Sequence, residues 1–456
     1  MTSTFEPSQA PEPEGGHPSL VGAKGAFSRG DLSEALRILA EMDGLNGPKS
    51  EVARFRASVH FFSGEYDAAL AEITMAIVYA AGPGKAAPAS LIVRKAEILS
   101  RMGRSEDAVR LLEGVAPELR KGDYFRILRE CVKTKSDILL FENVVAPNLS
   151  RKDLTYNTAM NNYSILLREM GEPRRGILLA RERFLKVKRA FKFGRLHKPM
   201  EKPGWVDEAK TCLADLKEHF SRGGVDFFLI SGIFLGAVRD GTIIGHDKDI
   251  DVGVDEAVGL ERVKNIFRQS KTFVIREIPS KRSVYLLHCS GVKVDVFMHY
   301  HEYGRYWHEG PKVRWWNTPF KLSPIAFLGE SYLAPADAGR YLSENYGEWR
   351  TPVSEFETFV DTPNMEIVNV DHMRWYYLSR MSDYYLQGRK PQFGRVWEAL
   401  REVYKVDDQL RRAAKDVIET DYTLPGGASP RAKPAQGVAV TRVLRQIVKT
   451  LSSRSV

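Results

Sequence analysis

Apolar positions recur along the chain in two rhythms. Between about residues 20 and 194 they return every third or fourth position, the period of helices that bury one face, with glycines separating the segments. After residue 205 the rhythm changes. Residues 206–220 read as an amphipathic helix and 225–230 (VDFFLI) as a buried strand. Further strands are predicted at 250–254, 273–278, 284–288 and 292–298, with helices at 260–269, 336–346 and over much of 371–418. Residues 301–304 read as a hairpin turn. The fold class expected is α+β, helical first and mixed afterwards.

Within the first region a spacing repeats: a glycine, an apolar or small residue two positions later, and a small residue three positions after that. Gly30-Leu32-Ala35, Gly64-Tyr66-Ala69 and Gly103-Ser105-Ala108 fit, and Gly171-Pro173-Gly176 is a looser copy. The first step is 34 residues, the second 39, and Gly103 to Gly171 spans 68. Small residues let antiparallel helices approach closely while larger ones fill the groove between them. The pattern resembles the tetratricopeptide repeat, with a non-repeating helical bundle as the alternative. Such a stack implies a docking surface for a protein partner. The boundaries expected are a disordered leader (1–19), helical repeats (20–194), a Pro/Gly-rich linker (195–205), a catalytic domain (206–421), a second linker (422–437) and a basic amphipathic helix (438–456).

The chemistry is concentrated in Ser231 to Val252. Asp247, Asp249 and Asp251 alternate with other residues and run into an apolar strand, so Asp249 and Asp251 share one face. Like charges so close are unfavourable unless a cation lies between them, and oxygen-only ligands suit Mg²⁺ or Mn²⁺. A third acid, Asp295, stands among valines in another predicted strand, where an unpaired carboxylate is costly. The alternative is a surface loop of solvated aspartates. Upstream, Gly232 and Gly236 follow a buried strand and would let the backbone approach a diphosphate, with Arg239 as a charge partner. His288, Cys289, His299, His301 and His308 gather near Asp295 without the spacing of a standard zinc site. Trp307, Trp315, Trp316 and Trp349 are candidates for stacking on a base or sugar.

Together these residues resemble the LicD/fukutin family, whose members show a Gly-x-Leu-Leu-Gly-Ala-x-Arg stretch followed by Trp-Asp-x-Asp-x-Asp. The likeness continues through Phe327-Leu328-Gly329, Tyr341-Leu342 and Tyr346 to Pro352. It implies a nucleotidyltransferase-like mixed-sheet domain that moves a phosphorylated alditol, choline or sugar. The donor would be nucleoside diphosphate-linked, most often to CDP, and the acceptor a hydroxyl of a cell-surface glycan or glycolipid. Asp249, Asp251 and Asp295 would be the catalytic metal ligands, with Mg²⁺ or Mn²⁺ as cofactor. Arg239 and Gly232 would lie at the donor phosphates, and Asp247 would be an outer-sphere or substrate-contacting acid. This chain departs from the pattern at Ile233, where a threonine hydroxyl is usual, leaving Ser231 to supply that contact. It departs again at His246, where tryptophan is usual, and at Lys248. Two other functions are consistent with the sequence: a nucleotidyltransferase acting on a small molecule or nucleic acid, and an adaptor with a degenerate enzyme domain.

Composition refines the picture. With 456 residues, 43% hydrophobic and 27% charged, wholesale disorder is excluded. No apolar run reaches the roughly 18 residues of a membrane span. The first residues lack a secretory apolar stretch, and Cys131, Cys212 and Cys289 form no disulfide framework, so a cytoplasmic location is expected. The net charge is +9, but residues 431–456 contain six basic residues and no acid. The remainder carries only +3, which argues against nucleic acid as a partner. The basic tail instead predicts a peripheral contact with an anionic membrane.

Overall fold

The computed structural model describes residues 18–422 except 48, 82–85, 152, 197–203, 246, 248 and 354. Most of the leader, part of the first linker, almost all of the second and the basic C-terminal helix expected at 438–456 lie outside the described residues, as do His246 and Lys248.

The first half is helical: α1 (Leu20–Ser28), α2 (Leu32–Asn46), α3 (Ser50–Phe62), α4 (Tyr66–Ala80), α5 (Ala89–Arg101), α6 (Ser105–Glu113), α7 (Tyr124–Cys131), α8 (Ile138–Leu149), α9 (Leu154–Glu169) and α10 (Pro173–Ala190). Gly30, Gly64, Gly103 and Gly171 stand in the turns after α1, α3, α5 and α9, each with φ between 75° and 80°. That left-handed backbone is costly for any residue with a Cβ, so the recurring glycine marks the point where one helix stops and the chain reverses. Across these turns, Ala35, Ala69 and Ala108 are completely buried at the helix contacts.

The second half opens with α11 (Trp205–Arg222) and builds a ten-stranded mixed sheet: β1 (Phe228–Leu229), β2 (Asp249–Asp255), β3 (Phe273–Ile275), β4 (Ser283–His288), β5 (Lys293–Glu302), β6 (Arg305–Glu309), β7 (Val313–Asn317), β8 (Leu322–Phe327), β9 (Glu330–Pro335) and β10 (Met365–Ile367). The order is β10-β7-β6-β5-β2-β1-β9-β8, with β4 on β5 and β3 on β4. Helices α12 (Ser231–Leu235), α13 (Leu260–Arg268), α14 (Ala338–Tyr346), α15 (Thr358–Asp361), α16 (Val370–Gln387), α17 (Lys390–Val403) and α18 (Asp408–Glu419) complete it. The five strands and the helices read from periodicity are present, as is the turn after β5, where Tyr303 and Gly304 take positive φ.

Strand β5 is central. Its first half lies between β2, parallel, and β4, antiparallel; its last three residues pair with β6. Val294, Val296 and Met298 fill the interior from this strand.

The halves are joined by packing. Ile177, Ala180, Phe184 and Val187 of α10 share one core with Leu213 of α11, Leu229, Val252 and Phe393. Arg183 of α10, only 2% exposed, donates to Asn157, Asn161 and the Ser379 carbonyl, and pairs with Asp383 of α16 at 2.5 Å. At the other end, the Cys289 thiol donates to the Phe27 carbonyl at 3.1 Å. All three cysteines are free and buried.

Candidate active site

The acids expected to carry chemistry are placed by β2 and β5. Asp249 and Asp251 lie two residues apart on β2, and the parallel register sets Asp251 directly opposite Asp295, and Asp249 opposite Lys293. Residues opposed in this way project to one face, so the three carboxylates occupy a single patch of sheet. Burial pushes the Asp251 carboxyl far above the ordinary carboxylate range, and Asp249, Asp295 and Asp247 push it the same way; a hydrogen bond from Ser231 opposes them. Asp295 is raised by burial and by Asp249, against Arg276, Lys293 and Lys312. Its Oδ1 is buried with no hydrogen-bond partner, and the nearest cation, Arg276 Nη1, is 4.0 Å away.

Three mutually repelling carboxylates, one with an orphaned buried oxygen, fit a divalent cation with oxygen ligands. Among the described residues, however, no three His, Cys, Asp or Glu side chains already enclose one point closely enough to make a cage. The acids would therefore have to draw in around an ion.

The glycine-rich segment wraps against these acids. Ser231 opens α12 with φ of 49°, a strained value for a residue with a side chain, and its hydroxyl reaches Asp251. A Cβ on Gly232 would collide with the Asp247 carboxylate, so this glycine gives the acid room beside the helix backbone. A Cβ on Gly236 would come within 2.5 Å of the Thr242 carbonyl. From Gly236 to Asp240 the chain forms one π-helical turn, a form often found at functional sites. Arg239, at its end, is committed to Asp240 through Nε at 2.9 Å and Nη2 at 2.8 Å.

The histidines do not assemble as a group. His288 binds Asp215 at 2.9 Å and Ser290 at 2.7 Å, His301 is exposed, and His299 and His308 stack on one another at 4.5 Å. Burial pulls His299 down to about 4. Trp307, Trp315 and Trp349 are buried, and Trp316, half-buried, donates to Glu366 at 2.7 Å.

Several neighbours of the acids were not picked out as site residues from the sequence. Lys293 shares their sheet face by register, Arg276 follows β3, and Lys312 precedes β7. Only Lys293 had a local signal, its place two residues before Asp295. Tyr341 and Tyr346, in α14, are pushed up chiefly by burial, with Asp251 and Asp247 adding to it.

Residues 224–337, which hold all of the acids, match the sequence profile of the LicD/FKTN/FKRP nucleotidyltransferase domain. The human ribitol-5-phosphate transferase FKTN is 26% identical over 168 residues, covering 35% of this chain and 36% of that protein. The Macaca fascicularis protein of that name gives the same figures, and the Mus musculus one is 26% identical over 153 residues, 31% and 33% of the two chains. The chain thus spans about a third of the length of the curated relatives it matches. Residues 224–337 are therefore similar to the LicD/FKTN/FKRP nucleotidyltransferase domain, and the chain shares with the FKTN proteins a stretch of 153 to 168 residues.

Proposed function

We propose that this domain moves a phosphorylated alditol, choline or sugar from a nucleoside diphosphate donor, most simply a CDP-linked one, to a hydroxyl of a glycan or glycolipid. The observation that carries the reading is the β2–β5 register, which opposes Asp251 and Asp295 within a matched LicD-type domain. Asp249, Asp251 and Asp295 would hold Mg²⁺ or Mn²⁺. Bound there, the ion would neutralise developing phosphate charge and acidify the acceptor hydroxyl. Ser231 orients Asp251 through its hydroxyl; in the alternative in which Asp295 does not ligate the ion, its Oδ1, which has no hydrogen-bond partner, would take the hydroxyl proton. Asp247, packed on Gly232, supplies negative charge behind the ligands rather than among them. The helical first half is the proposed docking surface for a protein partner, and the basic stretch 438–456 the proposed contact with an anionic membrane.

Asp251→Asn tests this directly. Without metal it should melt higher than the parent, because the amide escapes the cost of burying an ionisable carboxyl beside other acids. It should also lose the Mg²⁺-induced rise in melting temperature and lower donor-dependent transfer by at least about a hundredfold, on the order of 3 kcal/mol of barrier. Full transfer activity in this variant would sink the assignment. With a CDP-linked donor, release of CMP supports phosphotransfer, whereas transfer of the cytidylyl group itself would favour a nucleotidyltransferase.

A further inference from the structure

The patch of acids is bordered by cations, and the basic residue picked out from the motif is not the one left available. Arg239 forms a two-point pair with Asp240 and is largely covered. Two other basic side chains adjoin Asp295, and a third, Lys312, adds its positive charge from a separate element. Arg276 stands 4.0 Å from its Oδ1, Lys293 lies two positions before it on the same face, and Lys312 acts on it from the segment between β6 and β7.

Lys312 is the most constrained. Its Nζ sits 3.6 Å over the ring of Phe359 and 4.8 Å over Tyr376, and it makes no ion pair or hydrogen bond among the described residues. The surroundings add more positive charge. Arg168, from helix α9, binds His372 Nδ1 at 3.2 Å, and the same nitrogen faces the Pro311 carbonyl at 3.3 Å, so Arg168 is tied to the segment that carries Lys312. The Nε atoms of Arg168 and Arg380 are buried without partners. Burial lowers Lys312 to about 7, and Arg168 and Arg380 push it the same way, while Glu357 and Asp295 oppose them. Arg168 lies 3.6 Å from Glu169, and Arg380 lies 3.9 Å from Glu357 and 3.6 Å from Asp383, so of these three cations Lys312 is the one with no ion-pair partner among the described residues. A buried cation of that kind is unfavourable until a counter-ion reaches it.

We propose that Arg276, Lys293 and Lys312 form the seat for the diphosphate of the donor, beside the acids, with Arg168 carrying positive charge to it from the helical half. This deepens the transfer reading and rests on it for the identity of the ligand. The seat recognises phosphate oxygens by charge and by N–H donors, so it should take a diphosphate with no nucleoside attached.

The test is calorimetric binding of inorganic pyrophosphate to the full chain in metal-free buffer. The parent should bind, and Lys293→Met and Lys312→Met should each weaken binding at least tenfold, with Arg276→Met adding to either. Lys293 is exposed, so its variant folds irrespective of the core. Unchanged pyrophosphate affinity in both lysine variants, or no binding by the parent, overturns the seat. Because no transfer is measured, the outcome is separate from that of the function: loss of transfer in Asp251→Asn with pyrophosphate binding retained supports both readings. Lysine-dependent pyrophosphate binding in a protein that transfers nothing from any donor keeps the seat and refutes the transfer reading.

Discussion

Gly253 shows how tightly single positions are specified. It lies on β2 between the acids and the strand end, and a Cβ there would run into the Phe228 ring and approach His299 Cε1 at 2.8 Å. Gly253→Ala should destabilise the protein by about 1–3 kcal/mol, measured by urea unfolding, because an overpacked core has to shift. Gly232→Ala should behave differently: its added methyl meets a carboxylate at the edge of the site, so transfer should fall more than the melting temperature does. These residues also show what the sequence makes legible. Aspartates at alternate positions declare a shared face, and an acid between valines declares a cost. Arg276 and Lys312 declare nothing, because only the approach of β3 and of the segment before β7 brings them to Asp295. Arg239 stands in the motif as read, and its guanidinium pairs with the adjacent Asp240.

Among elements, the buried strands were the readable ones. Strands β6 to β10 escaped for physical reasons. In β6 and β7 (RYWHE, VRWWN) arginine, tryptophan and histidine replace the aliphatic alternation, since Arg314 lies 3.8 Å over the Trp307 ring. Strand β8 contains Pro324, which an edge strand tolerates and a central one does not. Helix α10 is held to its neighbours by two arginines. Arg183→Ala should cost about 3 kcal/mol or more, because it leaves the partners of a buried charge unsatisfied; denaturant unfolding measures it. Arg181 hydrogen-bonds both oxygens of Asp407, the N-cap of α18, and holds that carboxyl down at about 2 against an ordinary 3.8. A depressed carboxylate contributes its full stabilisation above its ordinary pKa and loses it as pH falls through the folded value. The stability difference between the parent and Asp407→Asn should therefore hold above pH 3.8 and shrink as pH falls towards 2.

For the whole molecule, packing rather than chain order defines the unit that folds. The Pro/Gly-rich stretch at 194–205 marks a change of rhythm, yet α10 on one side of it shares a core with α11, the sheet and α17 on the other. A fragment beginning at Gly204 should therefore expose apolar surface, bind a hydrophobic dye and lack a cooperative melt, whereas the full chain melts cooperatively. Among the described residues no helix is long and apolar enough to cross a membrane.

The thiol of Cys289 has a use beyond its hydrogen bond. Burial pushes it up to about 12, and it lies where the first helix pair meets the sheet, donating to Phe27. Cys131, pushed up to about 11, is sealed in a separate core of the helical half, and Cys212 is fully buried. The three sulfurs thus form a built-in set of clocks. The order in which a thiol reagent alkylates them, read by peptide mass spectrometry, reports which part of the protein opens first, and labelling of Cys289 ahead of the others would time the lifting of the helical half from the sheet.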